Sequence, residues 1–157
     1  GWCGGIRAET CAGHPLVKSL HLAEVRAERL VEMQRTTGAA SAVKDYRELL
    51  ANNEIEAAYV CATPETTHFP IARDFLAAGK HVFLEKPIAM QLAEADELIA
   101  LARRNRLKFT IGYSQRFNPK FAYVKKAIAD GTIGRPVSAV VSRHITRSLG
   151  KNITGRG

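Results

Sequence analysis

A doubly wound α/β fold with a parallel sheet is the architecture this chain predicts, and three observations predict it. Short apolar segments alternate with helix-period segments along the whole length. Residues 57–87 form a βαβ unit: a buried run Ala57-Ala58-Tyr59-Val60-Cys61, a helix ending at Gly79, and a second run His81-Val82-Phe83-Leu84. Each run stops in polar or backbone-shaping residues, Thr63-Pro64 and Glu85-Lys86-Pro87. In open parallel sheets that carboxyl edge is where ligands bind. A packed core supplies no reason for the Glu85-Lys86 pair there.

The elements follow in order. Gly1-Trp2-Cys3-Gly4-Gly5 leads into a helix that closes near Gly13-His14-Pro15, where Gly13 caps and Pro15 cannot continue. A strand is expected over Lys18–Ala23, ending at Glu24, and then a helix over 27–37 that buries Leu30, Val31 and Met33. An edge strand near Ala42-Val43 precedes a brief helix from Tyr46 to Asn52. After Thr63-Pro64 a helix starts near His68, with Thr67 as cap and Pro70 in the first turn, where its missing N–H costs nothing. Ile71, Ala72, Phe75 and Leu76 form its buried stripe. Another helix runs from about Gln91 to Asn105, with Leu92, Ala95, Leu98, Ile99 and Ala102 on one face. A strand over Lys108–Gly112 leads to Tyr113-Ser114-Gln115-Arg116-Phe117-Asn118-Pro119, in which Asn118 caps and Pro119 opens the next helix. Gly131 ends that helix, Gly134-Arg135-Pro136 turns the chain, and Val137, Ala139 and Val141 alternate as a strand should.

The expected domains are residues 1–118, a dinucleotide-binding domain lacking its first strand, and residues 119–157, a linker helix and the opening strand of a second domain. Both ends of the sequence therefore read as cut.

Composition narrows the function classes. A chain of 157 residues with 46% hydrophobic and 24% charged residues fits a globular protein with a substantial core. No apolar run reaches the ~20 residues that span a bilayer, and no basic-plus-apolar leader opens the chain, so no membrane partner and a cytoplasmic location are expected. Cys3, Cys11 and Cys61 lack metal-type spacing and read as reduced, small apolar residues; no metal is expected. The net charge of +8 is uneven. Residues 1–102 carry ten Lys/Arg against fourteen Asp/Glu, whereas residues 103–157 carry thirteen against Asp130 alone. A nucleic-acid-binding protein using that basic half is one alternative. Its longest Lys/Arg run is two, and it has no zinc or RNA-recognition signature, so no nucleic-acid partner is expected.

The opening turn carries a partial dinucleotide fingerprint. That motif needs a strand, glycines at its first, third and sixth positions, and a helix whose amino end receives the pyrophosphate. Gly1 and Gly4 fit the second and third glycines, with Trp2 inside the turn. Glu24, twenty residues after Gly4, fits the carboxylate that accepts the ribose hydroxyls and repels a 2′-phosphate. Glu24 therefore favours NAD over NADP, while Arg26 and Arg29 keep NADP open. The bland alternatives are a loose terminus and an ordinary strand-end acid.

With these pieces in order, the chain resembles the Gfo/Idh/MocA oxidoreductases, the inositol 2-dehydrogenase-like enzymes among them. The resemblance is carried by Gly1-Trp2-Cys3-Gly4, Ala62-Thr63-Pro64 with His68, Glu85-Lys86-Pro87, Gln115-Arg116-Phe117-Asn118-Pro119 and Gly131-Thr132-Ile133-Gly134-Arg135-Pro136. It implies an NAD(P)-dependent enzyme moving a hydride between a polyol or sugar hydroxyl carbon and nicotinamide. It places Thr63, Pro64 and His68 beside the nicotinamide, Glu85 and Lys86 facing the ring and the reacting carbon, and Gln115 and Arg116 along the same cleft. It also implies a second α/β domain, commonly an oligomer surface, that carries an Asp/His pair completing the proton transfer. The sequence stops before such a pair, and His144 falls too early to belong to it. A homo-oligomer is thus expected of the complete protein, and the fragment alone is expected to be inactive. A non-catalytic dinucleotide-binding regulator of the same fold is the other alternative.

Removing an alcohol's hydride leaves a hydroxyl proton to be taken by a base within hydrogen-bond reach. Lys86 is the candidate catalytic residue, crowded by the cofactor and an apolar strand, with Glu85 either orienting it or turned to the opposite face, since strand residues alternate. The ordinary readings are a solvated lysine at 86, a helix-start histidine at 68 and a surface ion pair at Arg116.

Overall fold

The computed structural model describes the backbone of residues 2–142 and 144. The chain divides into two compact units, Gly1–Tyr113 and Ser114–Gly157.

The first unit is the expected alternation: α1 (Trp2–Ala12), β1 (His21–Ala23), α2 (Ala27–Thr37), β2 (Ser41–Val43), β3 (Ala57–Val60), α3 (His68–Ala77), β4 (His81–Leu84), α4 (Leu92–Arg104) and β5 (Phe109–Ile111). All ladders are parallel. β1 pairs with β2 in one sheet, and β3, β4 and β5 lie in that order in another. Strand β1 is shorter than its apolar run because only His21, Leu22 and Ala23 find partners, in Ser41, Ala42 and Val43.

No ladder joins the two sheets among the described residues: β1 pairs only with β2, and β3 only with β4. Between the two sheets lies an open cleft of about 1690 Å³, lined by Leu20–Glu24 on one side and Ala57–Ala62 on the other.

Helical period decides what each helix buries. α3 buries His68, Ala72, Phe75 and Leu76, and α4 buries Ala95, Leu98, Leu101 and Ala102. Together they cover one face of β3–β4, where Val60, Val82 and Leu84 meet them in a single core cluster. α2 buries Leu30 and Met33, while Val31, expected inside, is exposed. It ends at Gly38, whose φ of 65° lets its N–H reach the Gln34 carbonyl at 2.9 Å. A left-handed cap of this kind is what glycine supplies without strain. Thr67 does not cap α3: its hydroxyl donates to the Pro64 carbonyl at 2.7 Å, closing a short 3-10 turn over Glu65–Thr67. Gln91 opens α4 with its backbone N–H donating to Glu94 Oε2 at 3.3 Å.

The second unit holds a 3-10 turn over Ser114–Phe117 and α5 (Pro119–Ala129). Asn118 caps α5 as expected, accepting from the Lys120 N–H at 3.0 Å. No strand forms over Val137–Val141: this stretch has no ladder partner among the described residues, and Val137, Val140 and Val141 are exposed. A strand takes its hydrogen bonds from a neighbour, so alternation alone does not make one.

Candidate functional site

The site is built where parallel strands end. β3 and β4 run in register from Ala57↔His81 to Val60↔Leu84, and the Glu85 N–H donates to the Val60 carbonyl at 2.9 Å. Beyond that pair the two chains turn at Thr63-Pro64 and Lys86-Pro87, whose peptide bonds are cis.

α1 approaches the same edge from the other face of the sheet. A Cβ on Gly4 would stand 3.6 Å from Cβ of Cys61, an ordinary contact. The amino end of α1 therefore sits against the carboxyl end of β3, which is where a helix terminus receives an anion. A Cβ on Gly5 would come within 2.5 Å of the Arg29 guanidinium, which would have to swing aside. Gly1 and the side chain of Trp2 lie outside the described residues.

Glu24 stands directly after β1 and lines the cleft with Gly4 and Thr63. Its carboxylate is held in a fork by Arg26: Oε1 accepts from Nε at 3.1 Å and from the backbone N–H at 3.2 Å, and Oε2 accepts from Nη2 at 3.1 Å. That side-chain hydrogen bonding pulls the carboxyl down to about 2. The arrangement fits a dinucleotide: a carboxylate held ionised after β1, facing the same cleft as the glycine turn. The carboxylate can take ribose hydroxyls only by sharing or releasing its arginine.

Glu85 and Lys86 separate, as strand alternation requires. Glu85 is largely buried and accepts from Arg7 Nη2 at 3.2 Å. Its carboxylate presses on Gly112, where a Cβ would stand 3.0 Å from Oε2. Lys86 is exposed. So Glu85 ties α1, β4 and the end of β5 together, and Lys86 is left facing solvent. The crowding expected around Lys86 is not supplied by neighbouring protein.

His68 differs most from the sequence expectation. The ring is 2% exposed. Nδ1 lies 2.7 Å from the Pro87 carbonyl oxygen and Nε2 lies 3.0 Å from that of Ala62. With both nitrogens occupied by backbone, the ring has no polar edge left for a cofactor. It links the two turns instead.

Thr63 and Pro64 are exposed at the strand edge. Pro64, His68, Glu85 and Lys86 stand outside the lining of the intersheet cleft. Gln115 and Arg116 belong to the second unit and are described within it: both are exposed, and Gln115 Oε1 accepts from Asn118 Nδ2 at 3.1 Å.

Arg7 was not among the candidates. It pairs with Glu85, places its guanidinium carbon 5.8 Å from the Tyr59 ring centre, and leaves Nε buried without an acceptor. The sequence carried one signal for it: Arg7 falls three residues after Gly4, on the helix face that meets the sheet. Among the described residues no helix is long and apolar enough to cross a membrane, and no cluster of His, Cys, Asp and Glu could hold a metal.

Comparison with known proteins agrees with this geometry. A family model described as an oxidoreductase family with an NAD-binding Rossmann fold, GFO_IDH_MocA, matches residues 4–113. The chain is 35% identical over 123 residues to the myo-inositol 2-dehydrogenase of Thermotoga maritima, covering 78% of this chain and 36% of that protein. A crystal structure of a probable dehydrogenase from Thermotoga maritima superposes with a TM-score of 0.78 at 33% identity, covering 87% of this chain and 40% of that one. The scyllo-inositol dehydrogenase of Lactobacillus casei with bound NAD(H) and scyllo-inositol superposes with a TM-score of 0.78 at 26% identity, covering 85% and 40%. The chain thus spans well under half the length of these relatives.

Proposed function

The chain belongs to the Gfo/Idh/MocA oxidoreductase family with its NAD-binding Rossmann fold, and from that premise we propose that it forms the coenzyme-binding part of an NAD(P)-dependent dehydrogenase. The substrate class is a polyol or sugar, oxidised at a CH–OH carbon. The single observation that carries this reading is Gly4 packed on Cys61. It sets the α1 amino end at the carboxyl edge of β3, one strand from the edge where Lys86 emerges.

Each residue has a task in this reading. The first N–H groups of α1 point at a pyrophosphate, with the helix dipole favouring its charge. Glu24 accepts the ribose hydroxyls, which favours NAD. Thr63 and Pro64 form the strand-end wall beside the nicotinamide. Gln115 and Arg116 belong to the same candidate set. Bound nicotinamide supplies the hydride acceptor. Lys86 holds the substrate hydroxyl and moves its proton, the general-base task that hydride removal leaves behind. Glu85, bound to Arg7, takes no part in that proton transfer. Completion of the site by a second domain, and assembly into a homo-oligomer, belong to the same proposal.

The test is calorimetric titration with NADH and NADPH, followed by turnover of myo-inositol by the protein carrying this chain. NADH is expected to bind more tightly than NADPH. Lys86→Ala is expected to lower kcat about 10²–10⁴-fold, the usual contribution of general acid–base catalysis, and to leave NADH binding in place. Full turnover by Lys86→Ala, or no coenzyme binding by the wild type, overturns the proposal.

A further inference from the structure

We infer that His68 is a positioning residue for Lys86: its imidazole ties the loop leaving β3 to the loop leaving β4 and so fixes the backbone from which the Lys86 amine projects. This rests on the role proposed above for Lys86.

Three observations carry it. The ladder between β3 and β4 ends at Val60 and Leu84, with the Glu85 N–H donating to Val60. Beyond it the His68 side chain joins the two turns, with Nε2 on Ala62, two residues past Val60, and Nδ1 on Pro87, the residue after Lys86. The ring is 2% exposed, so water does not replace either partner.

Both partners are carbonyl oxygens, which only accept, so a ring N–H finds an acceptor on either turn.

The consequence lies at the reacting edge. Lys86 is exposed, and its backbone is held by the Glu85 N–H on one side and the Pro87 carbonyl on the other.

The first experiment follows solvent exchange of the His68 ring N–H by NMR of the 15N-histidine-labelled wild type. The expected result is a ring N–H slow to exchange, because a backbone carbonyl holds it; free exchange with solvent overturns the inference. The second uses His68→Leu, which removes both ring nitrogens, and His68→Gln, whose amide nitrogen keeps N–H donors. His68→Leu is expected to lower kcat by about tenfold to a hundredfold, the scale of a misplaced catalytic group, while the KM for coenzyme holds; His68→Gln recovers part of the loss. Unchanged kcat in His68→Leu overturns the inference. Should neither variant fold, the wild-type spectrum decides alone. Failure of NADH to bind the wild type sinks the dehydrogenase reading and leaves the ring measurement standing.

Discussion

The two sheets of the first unit share a pattern and differ in how well they are sealed. In the β3–β4–β5 half, Leu76, Leu84 and Leu98 are 0% exposed, because α3 and α4 close over one face. In the β1–β2 half the best-buried large residues are Met33 and Leu30, at 6% and 8%, and Leu16, Val17, Val25 and Val31 stay open to solvent. Both halves alternate strand and helix, so alternation is not what separates them. The difference is a neighbour. β4 has a strand on each side, whereas β1 has one on a single side and an open cleft on the other. A half-paired sheet buries less apolar area, and buried area is the main stabilising quantity.

The largest expected effect sets the halves against each other directly. Leu84→Ala removes a fully enclosed side chain and is expected to cost about 2–5 kcal/mol, the range for large-to-alanine changes in a closed core. Met33→Ala, in the half beside the open cleft, is expected to cost less. Amide hydrogen exchange should agree, with residues 82–84 of β4, which has a strand on each side, protected far longer than residues 21–23 and 41–43. Equal protection across both sheets, together with equal costs for the two substitutions, would show that the cleft does not weaken its border.

A middle-sized effect concerns Cys61, at the point where the better half meets the cleft. Its thiol is pushed up to about 12, first by burial and then by the nearby Glu85 carboxylate. The thiolate is the reactive form. Cys61 is therefore expected to resist iodoacetamide at pH 8 in the folded protein and to react once denaturant is added, as peptide mass mapping would report. Rapid alkylation of Cys61 in the folded state would mean that α1 does not stay seated on β3.

The element order and the family were readable because they rest on local signals: apolar period, glycine stops such as Gly79 and Gly131, Asn118-Pro119 at a helix start. Glu85-Lys86-Pro87 was readable as an edge motif for the same reason. What was not readable depends on residues far apart in sequence. The partner of Glu85 is Arg7, 78 residues away, and the space for its carboxylate is Gly112. His68 read as a cofactor contact because its chemistry is visible in the sequence and its burial is not. Lys80 is a similar case: a lysine 5% exposed, with Nζ donating to the Asn52 and Ile55 carbonyls at 2.7 and 2.9 Å. Nothing in its neighbours marks it as internal. The strand expected over Val137–Val141 failed for the complementary reason, since its pattern was right and no ladder partner lies among the described residues.

The smallest effect tests whether the looser half is ordered at its functional end. Arg26 holds Glu24 ionised, with the carboxyl lowered from 4.5 to about 2. A folded-state value below the unfolded one adds stability above pH 4.5, and that contribution fades as pH falls from 4.5 toward 2. A carbon-detected NMR titration of the Glu24 carboxyl should show a midpoint near the lower value in the wild type. In Arg26→Ala it should move back toward 4.5, and the acid limb of the stability curve should flatten over the same window. A wild-type midpoint near 4.5 would mean that the fork is not held in solution and that the β1 end of the cleft is loose. Ribose hydroxyls would then meet a carboxylate with no fixed direction. A low midpoint would place an oriented anion at the border of the less sealed sheet, so that weak packing and a defined binding group coexist within a few residues of β1.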